Sequence, residues 1–154
     1  MKNIFFVKDY KYSIDNLTKL VWECHLESNS WPRTQTQIYL SIEKLSHLNP
    51  FLCVANFRNK IIGVCISIDE FQINKFVKER VNHYFCELGV HPKYRRKGVA
   101  KKLIQLTEKK KSEIYKNFTA DVRIGSNSHF LFKHLGYKII QKNDKARCIK
   151  PKSI

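Results

Sequence analysis

Several things are scarce in this 154-residue chain, and each scarcity excludes something. With five glycines and four prolines there is no Pro/Gly linker, repeat or low-complexity tract, so no domain boundary is expected within 1–154. No apolar run approaches the roughly 20 residues of a membrane-spanning helix. Met1-Lys2-Asn3 leads into a short strand rather than a signal peptide, and a cytoplasmic protein with no membrane partner is expected. The five cysteines (Cys24, Cys53, Cys65, Cys86 and Cys148) form an odd set with no C-x-x-C pair, which argues for reduced thiols acting as small apolar fillers. No histidine or cysteine spacing resembles a metal site, so no metal is expected. Acids are scarce too: 13 Asp/Glu stand against 29 Lys/Arg, a net charge of +16.

That charge is unevenly spread. Residues 1–77 hold nine Lys/Arg against seven Asp/Glu, whereas residues 78–154 hold twenty against six. Nine of those twenty lie between Lys93 and Lys111. A polyanionic ligand in that region explains part of the excess, and nucleic acid is an alternative partner. With 43% hydrophobic residues, the chain has enough apolar material for one real core.

Periodicity and turn residues predict a strand at 4–7, then a helix over 14–26 capped by Ser13. After a break at Ser28–Pro32 comes a second helix, 36–46, ended by Asn49-Pro50. Strands at 51–57 and 61–68 form a hairpin through Arg58-Asn59-Lys60. Residues 72–82 read as a loop or a distorted strand end. A strand at 84–90, a helix over about 98–115, a strand at 118–124, a helix at 127–135 and strands at 137–141 and 147–149 complete an order of β-αα-βββ-α-β-α-ββ. On the long helix, Ala100, Leu103, Ile104, Thr107 and Ile114 are expected to share one face.

The centre of the sequence is Arg95-Arg96-Lys97-Gly98-Val99-Ala100, between the apolar strand closed by Pro92 and the long helix. The first amides of a helix have no intrahelical partner, and the helix dipole makes that end positive. A phosphate can settle there if no side chain blocks it, and Gly98 and Ala100 are suitably small. Arg95, Arg96, Lys97 and Lys101 add charge around the turn.

This stretch resembles motif A of the GNAT superfamily of N-acetyltransferases, whose signature is Arg/Gln-x-x-Gly-x-Gly/Ala. Arg95, Gly98 and Ala100 fill the defined positions, His91-Pro92-Lys93-Tyr94 matches the lead-in, and Leu103 falls at the usual helical leucine. The resemblance covers essentially the whole chain. It implies an α+β fold, a mostly antiparallel central sheet of about six or seven strands flanked by about four helices.

It also implies acetyl-CoA as co-substrate and a primary amine as acceptor. The pyrophosphate would lie on the amides of Arg95, Arg96, Lys97, Gly98, Val99 and Ala100, with Lys101 nearby. The pantetheine arm would pair along Leu88, Gly89 and Val90, and the Val90 amide would face the thioester oxygen. Glu87, the only acid on that strand, is the candidate base, unless strand alternation turns it away into an ion pair. Phe132 occupies the cofactor-side position where the family often carries a proton-donating tyrosine, and Ser128 is the nearest polar residue at a helical offset.

For the acceptor, the chain is similar to the aminoglycoside 6′-N-acetyltransferase branch at Trp31-Pro32, Ser67-Ile68, Asn74 and Phe118-Thr119-Ala120-Asp121. That likeness implies substrate contacts by Trp31 and Asp121, with Asp69 and Glu70 as further acids. Trp31 as core and Asp121 paired with Arg123 are the plainer readings. An aminoglycoside 6′-amine or similar small molecule comes first. The alternatives are an amine carried on RNA or protein, and a non-catalytic acetyl-CoA-binding module. A homodimer is compatible with the family.

Overall fold

A computed structural model describes residues 4–74, 76 and 81–152. Its elements are β1 (Ile4–Lys8), α1 (Ile14–His25), α2 (Gln35–Ser46), β2 (Phe51–Phe57), β3 (Lys60–Asp69), β4 (Asn82–Val90), α3 (Val99–Lys111), β5 (Asn117–Arg123), α4 (Asn127–His134), β6 (Lys138–Lys142) and β7 (Lys145–Pro151). The strands form one seven-stranded sheet in the order β1-β2-β3-β4-β5-β7-β6. Every neighbouring pair is antiparallel except β4–β5, which is parallel. The expected α+β architecture is therefore present, with α1 and α2 packed on one face of the sheet and α3 and α4 on the other.

Local chemistry accounts for the element ends. Ser13 accepts from the Asn16 amide at the start of α1, and Thr34 with Gln37 forms a reciprocal capping box on α2. Arg58 and Asn59, both at positive φ, make the two-residue turn between β2 and β3 that strand twist favours. Alternation along β2 divides the core. Leu52 and Val54 meet Leu17, Val21, Ile38 and Ile42, while Phe51 and Cys53 join Leu103, Ile104, Phe118 and Phe132.

The long helix is shorter than its periodicity predicts. It ends at Lys111, where the Ser112 amide donates to the Glu108 carbonyl and its hydroxyl to the Lys109 carbonyl. Beyond that turn Ile114 is exposed, and Tyr115 is the residue turned inward, its ring 4.6 Å from that of His83. The expected loop contains a short 3-10 turn, Glu70–Gln72. The part of it at 75 and 77–80 lies outside the described residues.

On β4, His83 is only 2% exposed. Its Nε2 lies 2.8 Å from the Ser67 hydroxyl, and Nδ1 has no hydrogen-bond partner among the described residues. Burial, with a smaller push from Lys111, lowers this imidazole from 6.5 to about 3. The unfolded chain therefore binds a proton between those values that the folded chain refuses, and stability falls as pH drops through that window. Unfolding measured at pH 7 and pH 5 should show the parent protein losing about 2 kcal/mol more than a His83→Phe variant. Equal losses would mean that His83 stays neutral in both states or is charged in both.

Candidate active site

The parallel pairing of β4 with β5 covers only Asn82–Phe85 against Asn117–Ala120. Past that point β4 pairs only with β3, and β5 only with β7. The two strands part, and a cleft opens in the middle of the sheet. At the parting, β4 carries an extra residue: Ser67 faces Phe85 and Ile66 faces Glu87, so Cys86 is a bulge. The bulge resets the alternation. Phe85 points to the α3–α4 core, while Glu87 points to the α1 face, as Gly89 does after it.

Two cavities meet at this cleft. The first, about 250 Å³, runs past Leu88, Gly89 and Val90 to the loop before α3, where it is lined by Arg95, Arg96, Gly98, Val99, Ala100 and Lys101. Gly98 (φ 76°) is the N-cap of α3 and no side chain among the described residues caps the helix, which leaves its first amides open to an anion. Arg96 is also at positive φ (60°). The Arg95 side chain is already committed. Its guanidinium donates to the carbonyls of Val90 (3.0 Å), Glu27 (2.9 Å) and Cys24 (2.6 Å), tying the end of α1 to the loop. Lys97 lies over the Tyr94 ring, 5.5 Å from its centroid, rather than along the cavity.

The second cavity, about 430 Å³, is lined by Trp31, Arg33, Tyr84, Glu87, Asp121 and Lys145 among others. His25, Ser30, Leu88 and Ser128 line both. Residues of the α1–α2 connection span the cleft. The Trp31 indole donates to Asp144 (2.9 Å), Asn29 accepts from the Asn127 amide (3.0 Å), and Arg123 reaches the Ser30 carbonyl (3.4 Å).

Each carboxylate in this cavity has a cation. Glu87 receives both Arg33 nitrogens, at 2.5 and 2.8 Å, with His25 Nε2 3.6 Å away. Burial alone would raise the Glu87 carboxyl, but the two hydrogen bonds from Arg33 and the guanidinium charge outweigh it and hold it below the usual carboxylate range. Asp121 accepts from Tyr84 (3.4 Å), Lys145 (3.1 Å) and Arg147 (3.4 Å), so in the plainer reading its partners are these and not Arg123. Burial, reinforced by Asp121, pushes the Tyr84 hydroxyl up, so it remains a donor. Burial also raises the thiols beside the cleft, Cys24 to about 12 and Cys86 higher still. Neither is a ready nucleophile.

Three expectations are corrected. Glu70 is 1% exposed and lies in an internal network with Arg147, Asn82 and Thr119, outside both cavities. Asp69, also buried, caps the 3-10 turn through the Phe71 amide. Phe132 packs against Phe85 and Tyr137 and borders the second cavity, not the first, because α4 turns that face into the core. Glu87, Ser128, Trp31 and Asp121 do converge on the cleft. His25, Arg33, Tyr84 and Lys145 belong to the same site and were missed, since no local spacing links positions 25, 33, 84 and 145.

Comparison with known proteins agrees with this fold. The family model described as an acetyltransferase (GNAT) domain matches residues 49–139. Among solved structures, PH1933 of Pyrococcus horikoshii superposes with a TM-score of 0.77 at 19% identity, covering 98% of this chain and 99% of its own. The yncA protein of Salmonella typhimurium, solved with its cofactor acetyl-CoA, gives 0.72 at 16% identity over 99% and 96%. NAA60 of Arabidopsis thaliana, in complex with acetyl-CoA, gives 0.70 at 16% over 96% and 98%. At these identities the likeness is one of fold. No curated protein matches by sequence.

Arg95→Ala removes three charged donors from carbonyls that hold α1 to the loop. Urea unfolding should register a loss of about 2–3 kcal/mol, against less than about 0.5 kcal/mol for Arg96→Ala. Equal effects would mean that the Arg95 contacts contribute nothing to stability.

Proposed function

The chain belongs to the GNAT acetyltransferase family, and on that premise we propose that it moves an acetyl group from acetyl-CoA to a primary amine by direct attack in a ternary complex. The observation that carries this reading is the uncapped start of α3 at the end of a groove that leads along β4 to a second cavity. The open amides from Gly98 to Lys101 would hold the pyrophosphate, with Arg96 and Lys101 supplying charge. The arm of the cofactor would follow Leu88, Gly89 and Val90, bringing the thioester to the junction beside Ser128 and His25. A Val90 amide aimed at the thioester oxygen would stabilise the charge that develops there.

At the junction the amine nitrogen bonds to the carbonyl carbon and the C–S bond breaks. The CoA thiolate leaves as an anion or takes a proton through Ser128 or water, since Phe132 cannot donate one. The raised Cys24 and Cys86 thiols argue against an acyl-cysteine intermediate and for direct transfer.

The acceptor would occupy the second cavity between Trp31, Tyr84 and Asp121. Both of its carboxylates, Glu87 and Asp121, are already neutralised by Arg33, Lys145 and Arg147. A single amine fits this balance better than a polycation, which makes aminoglycosides the discriminating acceptors. The exposed lysines of α3, Lys101, Lys102, Lys109 and Lys110, favour an RNA-borne amine as the second reading.

The test is CoA thiol release with aminoglycosides bearing a 6′-amine, matched 6′-hydroxyl compounds, simple monoamines and aminoacyl-tRNA. Turnover with monoamines is the expected result. Rapid turnover confined to 6′-amines would establish the aminoglycoside acceptor, and salt-sensitive turnover confined to aminoacyl-tRNA the RNA-borne one. A Gly98→Val variant should lose acetyl-CoA binding by at least about tenfold while remaining folded, because a β-branched residue is strained at positive φ and crowds the phosphate site. Normal binding by that variant would refute the placement of the cofactor.

A further inference from the structure

The proposed reaction leaves one question to the residues of the cleft, namely which group takes the proton of the arriving ammonium ion. Glu87 is badly placed for it. Both of its oxygens are engaged by Arg33, it is 7% exposed, and it is held in the ionised form by that pairing. A carboxylate stabilised in this way is a weak proton acceptor.

His25 is differently situated. It stands at the end of α1 and lines both cavities, at their junction. Its Nε2 lies 2.6 Å from Arg33 Nη2. A guanidinium can only donate, so Nε2 must be the acceptor in this contact. The ring is then neutral, with its proton on Nδ1 and its basic lone pair on Nε2. The same Arg33 nitrogen also donates to Glu87 Oε2, at 2.8 Å. Arg33 can therefore release the imidazole without leaving the carboxylate.

We infer that His25 is the base that accepts the acceptor's proton, directly or through one water, and that Arg33 and Glu87 are its positioning residues. This rests on the transferase reading given above. In the resting protein Arg33 keeps Nε2 unprotonated. When the ammonium ion gives up a proton, Nε2–H takes the place of the Arg33 N–H and faces Glu87 Oε2, 3.6 Å away, so the carboxylate offsets the new charge. The free amine then attacks the thioester. Its second proton goes to the departing thiolate or to water, and His25 later returns its own to solvent. The charged groups around the ring are Arg33 from the α1–α2 connection, Glu87 from β4 and Arg95 from the loop before α3, which is bonded to the Cys24 and Glu27 carbonyls on either side of His25 in the chain.

The experiment combines pH–rate profiles with ¹⁵N NMR of the histidine ring nitrogens. Wild type is compared with His25→Ala, His25→Gln and Glu87→Gln, using the best amine of the panel. Glutamine at position 25 can still accept from Arg33 but cannot act as a base, which separates a proton role from a structural one. Both His25 variants should lose about 10²–10⁴-fold in kcat, with added imidazole partly restoring His25→Ala. Glu87→Gln should lose less in kcat than either His25 variant and move the acid limb to lower pH, because the imidazolium loses its counter-charge. The resting ring should carry its proton on Nδ1.

His25→Gln at wild-type rate would overturn the assignment. So would a Glu87→Gln loss as deep as that of His25→Ala with no imidazole rescue. A resting ring protonated on Nε2 would overturn it whether or not any amine turns over. Failure of every amine in a protein that binds acetyl-CoA is failure of the transferase reading itself, and the ring tautomer, read without turnover, tells the two apart.

Discussion

Everything in this site depends on where β4 and β5 stop pairing. After Phe85 and Ala120 the two parallel strands lose each other, and each keeps only its outer partner. Backbone polar groups in a sheet must find partners, so a splay in mid-sheet creates a place where an extended ligand can supply them. The divergence also leaves room for two cavities, one on the α3 side of the opening and one beneath the α1–α2 connection. Without it, the glycine turn before α3 would be an ordinary helix start with nowhere for the rest of a long ligand to go.

Closing the far end of that opening falls to contacts distant in sequence. Trp31 with Asp144, Asn29 with Asn127 and Ser30 with Arg123 tie the connection after α1 to the loops beyond β5. Arg95 adds a tie at the near end by holding the α1 carboxyl terminus to the loop before α3. These ties place His25, which belongs to a helix end and not to the sheet, where the two cavities join.

Charge is managed locally despite the excess of +16. The acids near the cleft are each paired, Glu87 with Arg33, Asp121 with Lys145 and Arg147, and Glu70 with Arg147. Removing one partner of such a buried pair leaves an uncompensated charge, which costs more than the pair contributes. The cavity is thereby set near neutrality by local pairing, whatever the net charge of the chain.

The sequence by itself determined most of the elements, their order and the glycine turn before α3. These rest on local causes: apolar periodicity, caps at Ser13 and Thr34, the Arg58-Asn59 turn, and Gly98 at a helix start. Tertiary structure alone decided the direction of Glu87. Strand alternation places it on the same face as Phe85, and the bulge at Cys86, set by pairing with β3, turns it to the other. Composition could not distinguish the acids of the cleft from Glu70 and Asp69, because burial and partners come from strands far apart in the chain. His25, Arg33 and Glu87 meet only through the packing of α1 on β4, where Gly89 admits the close approach of Cys24. That meeting carries no spacing in one dimension, so three-dimensional packing alone assembles this cluster.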